Sequence, residues 1–471
     1  MNLSRKENIP PAVYARRRVR RWVSTETCLA PVAAIAFVFF LSLGIARAQE
    51  STPALAKEAV HFVDLLAKED FGTAVQGFDQ TMKQACPEAK LREIWSGVKQ
   101  SVGAFKETAG TRQERFAGYD LEFVTCRFER ATLDTKVVFN SRGEIAGLFF
   151  VPTQPSAAAA GPATYVRTNA FVEKAVVVGA GSEWPLKGTI SLPKGEAKSV
   201  PGVVLVHGSG PLDMDETVGP NRPFRDLAWG LASDGVAVLR YEKRTMAHPA
   251  KVSAGRITVQ EETIEDALKA VSLLRATEGI DAKRVYVLGH SLGAYLAPRI
   301  AAAEPGLAGL VMIAGPARPL EDLMVEQTKY LLGLGDPDQA DASDRLAKLE
   351  KEVGRVKALT AADVTNRTKL LGAPPEYWLD LRSYDPLKVL LKLKLPVLFL
   401  QGERDYQVTM TDFSLWKKTA GSMPNCTFKS YPDLNHLFIS GTGKSTPDEY
   451  LTAGHVSGTV VSDIVNWIRE R

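Results

Sequence analysis

Cysteine is scarce in this chain, with four in 471 residues. Cys28 precedes an apolar stretch near the N-terminus, which is not where a lipoprotein cysteine sits. Cys86, Cys126 and Cys426 are too few for a disulfide framework. Cys86 and Cys126 fall in one expected domain, where either a disulfide formed in an oxidising compartment or two buried thiols is compatible with the sequence. Internal repeats are absent, and no long segment has the composition of a disordered region. Positive charge is also lacking outside the N-terminus. The formal net charge is +4, but residues 1–48 carry +6, which leaves −2 for the rest. That distribution offers no basic face suited to nucleic acid.

Those first 48 residues read as an export signal. The basic stretch Arg16–Arg21 precedes an uncharged run from Thr27 to Ala46. The run ends in Ala46-Arg47-Ala48, with small residues at the two positions a signal peptidase reads, so cleavage is expected after Ala48. The competing expectation is an uncleaved anchor over 27–46, since about twenty uncharged residues can span a bilayer. Cleavage leads to a periplasmic or secreted protein with no stable membrane insertion.

Two domains are expected beyond the signal. In 51–152, helical spacing joins Ala56, Val60, Val63 and Leu66, and again Leu91, Ile94, Trp95 and Val98. Strand patterns follow at Leu121–Phe128, Thr135–Phe139 and Ile145–Val151, with a turn at Asn140–Gly143. This predicts a small α+β unit without a catalytic cluster. Residues 153–168, rich in Pro and Ala, read as a linker. From 169 to 471, apolar strands alternate with amphipathic helices. The strands are Gly202–Val206, Val236–Arg240, Arg284–Leu288, Leu310–Ala314, Val397–Gln401 and Thr427–Tyr431. The pattern predicts an α/β fold, a mostly parallel sheet with helices on both faces. A stretch of about eighty residues after Gly315 lacks a strand, where one βα unit needs about thirty. It reads as a helical cap over about 317–390.

The residues with chemical potential sit at the ends of these strands. Gly289-His290-Ser291-Leu292-Gly293 matches Gly-x-Ser-x-Gly between a strand and an Ala- and Leu-rich helix. The glycines allow a strained turn that exposes the serine. A serine hydroxyl needs a base to become a nucleophile, and histidine suits that task near neutral pH. Of the six histidines, only His436 and His455 follow the serine at a distance. His436 lies in a loop leaving a strand and is the expected base; His455, before the last helix, reads as a surface or capping residue. Asp405, just past the strand Val397–Gln401, is the expected acid that fixes the imidazole tautomer. Glu403 and Asp433 are the competitors. The turn His207-Gly-Ser-Gly-Pro211 can aim backbone N–H groups at an oxyanion. Ser209 N–H, with Gly210 as a possible substitute, and Leu292 N–H are the expected donors. His207 reads as structural.

Asp213, Asp215 and Glu216 cluster near that turn. No histidine partner lies close by in sequence, so ion pairs with Arg225, Arg240 or Arg244 are expected rather than a metal site. Trp378 and Tyr384 are equally compatible with an acyl pocket and with cap packing.

Taken together, these motifs resemble the α/β-hydrolase superfamily over about residues 170–471. The stretches His207-Gly-Ser-Gly-Pro211, Asp213-Met-Asp-Glu216, Gly219–Ala228 and Leu239–Arg244 resemble bacterial carboxylesterases that carry a small α+β domain of unknown function. The resemblance implies a serine esterase acting on short acyl esters through an acyl-enzyme, with a small-molecule ester as partner and no cofactor or metal. The same machinery would serve a serine aminopeptidase or thioesterase, and a non-catalytic envelope binding protein is the rival from another class.

Overall fold

The segment Pro53–Ala67 turns Ala59, Phe62, Val63 and Leu66 to one side and folds as an amphipathic helix. This computed structural model describes residues 53–116, 119–140, 142–153, 161–195, 199–334, 339–365 and 369–471. The expected signal or anchor lies outside those residues. Among the described residues, no helix is long and apolar enough to cross a membrane. The chain divides into two compact units at residues 154 and 155.

In the first unit, four helices between Pro53 and Val102 precede an antiparallel sheet in the order β1 (Phe105–Phe116), β2 (Tyr119–Phe128), β3 (Thr132–Phe139) and β4 (Ile145–Pro152). Trp95 centres its core, with the rings of Phe105, Phe128 and Phe150 about 6 Å away. Cys86 and Cys126 are buried in this core and are not disulfide-bonded. His61 lies on the exposed side of the first helix. The strand β1 escapes the hydrophobic pattern because Lys106, Glu107, Arg112 and Gln113 interrupt it.

The second unit holds an eight-stranded sheet. Its strands are β5 (Phe171–Val178), β6 (Leu186–Pro193), β7 (Val200–Val206), β8 (Ala237–Tyr241), β9 (Ile280–His290), β10 (Gly309–Ile313), β11 (Val397–Gly402) and β12 (Cys426–Tyr431). The spatial order is β12-β11-β10-β9-β7-β8-β6-β5. The six strands from β12 to β8 are parallel, and β6 and β5 close the edge antiparallel. All six expected strands are present. β5 and β6 add to the expected set; they form the hairpin at the sheet's edge, where β5 is largely exposed. Val203–Val206, Val285–Leu288, Leu310–Met312 and Val397–Leu400 are buried, which is why they read as continuous apolar runs. Each such side chain contributes roughly 1.5–3 kcal/mol on burial.

Between β10 and β11 the described residues include the helices Leu320–Leu332, Gln339–Ala358, Pro375–Arg382 and Pro386–Leu390. Asp412 pins the start of this insertion by accepting from the N–H groups of Ala317 and Arg318 and from the Arg318 guanidinium. Gln327 donates to the carbonyl of Gln407, in the loop after β11. The insertion therefore packs at the C-terminal ends of the parallel strands, where ligands bind in sheets of this kind.

Candidate active site

β9 runs between β7 and β10 and ends at His290; the helix Leu292–Ala303 begins directly afterwards. Ser291, at the junction, has φ 52° and ψ −116°, a strained conformation for a non-glycine residue. Its N–H donates to the Ile313 carbonyl at 3.1 Å, which fixes the turn to β10. The flanking glycines answer a packing demand. A Cβ on Gly293 would lie 2.1 Å from the Val206 carbonyl oxygen, and one on Gly289 would lie 2.3 Å from that of Gly293.

Asp405 and His436 follow β11 and β12. His436 Nδ1 donates to Asp405 Oδ2 at 2.7 Å, and both side chains are fully buried. The carboxylate is held by the N–H groups of Gln407 and Val408 on Oδ1 and by the Gln401 amide on Oδ2. Asn435 steadies the histidine loop by accepting from the N–H groups of Leu437 and Ile439. Gly402 lets that loop approach, since a Cβ there would lie 2.4 Å from the Leu434 carbonyl oxygen.

A small cavity beside Ser291 is walled by Leu212, Val218 and Leu437, with Gly208, Ser209, Glu216 and His290 completing it. The structure thus gathers Ser291, the Ser209 turn and the loop of His436 at one edge of the sheet. The His290 and His436 rings lie 4.7 Å apart, and His290 Nε2 donates to the His436 carbonyl at 3.0 Å. Leu292 is the first residue of its helix, where N–H groups lack intrahelical acceptors. Gly210, with φ 96°, shapes the other turn.

Of the competing acids, Glu403 is exposed and accepts from the Ser430 hydroxyl, and Asp433 is exposed. His455 pairs with Asp226 at 3.0 Å, partly exposed. Trp378 and Tyr384 are packing residues: the indole N–H donates to the Leu370 carbonyl and the Tyr384 hydroxyl to that of Tyr295. Of the expected ion pairs, Asp215–Arg240 forms, at 2.8 Å. Arg244 instead holds Asp266, and Arg225 lies 4.0 Å from Asp226. Among the described residues, no group of three or more His, Cys, Asp or Glu gathers as a metal site.

Sequence reasoning missed the partner of Glu216. Its Oε1 accepts from Gly208 N–H at 2.6 Å, and its Oε2 lies 2.9 Å from His290 Nδ1. Burial opposes charge on the His290 ring, but the Glu216 carboxylate, helped by the His436 carbonyl and Asp405, overrides it and raises the pKa. Burial likewise opposes ionising Glu216, yet His290, His207 and the Gly208 N–H hold its pKa below the ordinary value. The two groups lie beside the cavity at Ser291, and each favours the charged form of the other. Adjacent to Ser291 in the sequence, His290 links Glu216 to the backbone of the His436 loop.

His207 behaves oppositely. Burial, opposed by Glu216 and assisted by Lys243, pushes its ring down to about 4, while Nε2 contacts the Asp213 carbonyl at 3.0 Å. In the unfolded chain the ring titrates near 6.5, so the unfolded state binds more protons between those values. Stability from this group is present above about 6.5 and is lost as the pH falls toward 4. Urea unfolding should show the native protein losing roughly 2 kcal/mol more than a His207→Gln variant between pH 7 and pH 5. Equal losses would place a charged ring in the folded state.

A parallel-sheet core with a strained serine elbow, a buried His–Asp pair and a glycine-rich turn at one edge defines a hydrolase of the α/β class. The chain belongs to the alpha/beta hydrolase family, whose sequence model matches residues 203–453. A family of unknown function, DUF3887, matches residues 59–148. The chain is 41% identical over 415 residues to Esterase EstD of Thermotoga maritima, covering 88% of this chain and 95% of that one. Among solved structures, Est1E from Butyrivibrio proteoclasticus aligns with TM-score 0.43 at 16% identity, over 63% of this chain and 99% of its own. The hyperthermophilic esterase from Pyrobaculum calidifontis aligns with TM-score 0.41 at 16% identity, over 64% and 85%.

Proposed function

We propose that this chain is an exported serine carboxylesterase acting on short acyl esters. The observation that carries the reading is the buried 2.7 Å His436–Asp405 pair, set at the same sheet edge as the strained Ser291. The 41% identity to an esterase supports the ester as substrate. Ser291 Oγ attacks the ester carbonyl and passes its proton to His436 Nε2, while Asp405 holds the ring and balances its charge. The N–H groups of Ser209 and Leu292 receive the oxyanion. Collapse of the tetrahedral adduct breaks the bond to the alkoxy oxygen, which leaves as alcohol with the proton from His436. Water, deprotonated by His436, then attacks the acyl-enzyme and releases the acid and Ser291.

The close apolar walls Leu212, Val218 and Leu437 favour a short acyl chain. A panel of p-nitrophenyl esters of increasing acyl length, aminoacyl anilides and thioesters tests this. Fastest turnover is expected on short esters; faster turnover of anilides or thioesters would overturn the ester assignment. The basic stretch, apolar run and Ala46-Arg47-Ala48 support export by a cleaved signal. N-terminal sequencing of the cell-derived protein should begin at Gln49; a retained 27–46 segment would mean an anchor.

A further inference from the structure

The turn that carries the amide proposed to receive the oxyanion is held by two buried side chains that the proposed reaction does not use. Gly208 N–H points to the Glu216 carboxylate, and Lys243 Nζ donates to the Gly208 carbonyl at 2.8 Å. That carbonyl belongs to the same peptide group as the N–H of Ser209. In a trans peptide the C=O and N–H bonds point in opposite directions. Holding the oxygen on one side therefore aims the Ser209 N–H at the other. We propose that Lys243 is a positioning residue for the oxyanion-binding amide of Ser209, acting through the Gly208–Ser209 peptide.

Lys243 is almost fully buried, and an ammonium taken out of water is retained only with partners. Its partners are the peptide carbonyl and Glu262 Oε1 at 3.3 Å, so one of its bonds is spent on the turn itself. Glu262 sits in a π-helical turn, Gln260–Ile264, an irregularity that often marks functional sites. Its other oxygen accepts from the Tyr377 hydroxyl at 2.8 Å, from the cap helix Pro375–Arg382, which fixes the carboxylate that holds the lysine. A cation on the carbonyl also draws electron density from the amide nitrogen and strengthens the N–H as a donor. The effect is greatest when the bound oxygen carries full negative charge, in the tetrahedral adduct rather than in the bound ester.

This inference rests on the serine-esterase reading, and the test separates the two. Lys243→Met removes the cation; Lys243→Met/Glu262→Gln removes it without leaving Glu262 buried and unpaired. Both are assayed on a p-nitrophenyl ester and on its thiono counterpart, whose sulfur accepts hydrogen bonds weakly. The oxo-to-thiono ratio of kcat/KM reads the oxyanion donors and is indifferent to a purely structural role. In both variants kcat should fall about 10- to 100-fold with KM little changed, and the ratio should shrink by a comparable factor. Lys243→Arg, which keeps a cation, should recover part of both. Folded variants that keep the native ratio and lose only thermal stability would overturn the role of Lys243. Hydrolysis that survives Ser291→Ala in an otherwise native chain would instead overturn the serine-esterase reading.

Discussion

Ser291→Ala should lower kcat for ester hydrolysis on the order of 10⁵-fold or more without unfolding the protein. Only the Oγ is removed, so the Cβ that packs beside Gly208 remains. The elbow is held by the Ser291 N–H bond to the Ile313 carbonyl and by contacts around Gly289 and Gly293, none of which involve the hydroxyl. The remaining acceleration over water would come from the oxyanion donors and substrate binding. Circular dichroism and the urea midpoint should match the native protein. Near-native hydrolysis by a purified, folded variant would place the chemistry elsewhere.

Asp405→Asn should cost about 10⁴-fold in kcat, with the fold again retained. The asparagine oxygen can still accept from the N–H groups of Gln407 and Val408. Its NH₂ would then face His436 Nδ1, setting donor against donor. The ring resolves the clash by moving its proton to Nε2, so the nitrogen needed to take the serine proton is already occupied. KM should change little, because the carboxylate does not touch the ester. Adding Asp405→Asn to Ser291→Ala should cost little further, since residues acting as one unit are non-additive. A loss below tenfold in the single variant would mean that another carboxylate orients the base.

Much of this architecture is written locally. Strands buried on both faces read as uninterrupted apolar runs, and Gly289 and Gly293 mark a turn that no larger residue fits. The order Ser291, Asp405, His436 then follows from the order of the strands. What stayed hidden was set by tertiary contact. β5 carries Glu173 and Lys174 and is exposed along most of its length, so edge pairing defines it rather than burial. β1, with its charged residues, is legible only beside β2. Glu216, read as part of an acidic cluster, finds His290 across the sheet edge, and Lys243 finds the Gly208 carbonyl. No spacing rule links such partners, because the fold alone brings them together. Trp378 and Tyr384 show the converse, since their composition suits a pocket while their hydrogen bonds tie them to cap and core backbone.

The central claim, that Ser291 is an activated nucleophile, is tested most directly by reaction with an alkyl phosphonofluoridate followed by peptide mass spectrometry. One phosphonyl group per chain is predicted, on the peptide containing Ser291, appearing in step with the loss of esterase activity and absent from Ser291→Ala. An active, folded protein that takes up no label, or carries it on another residue, would contradict the account.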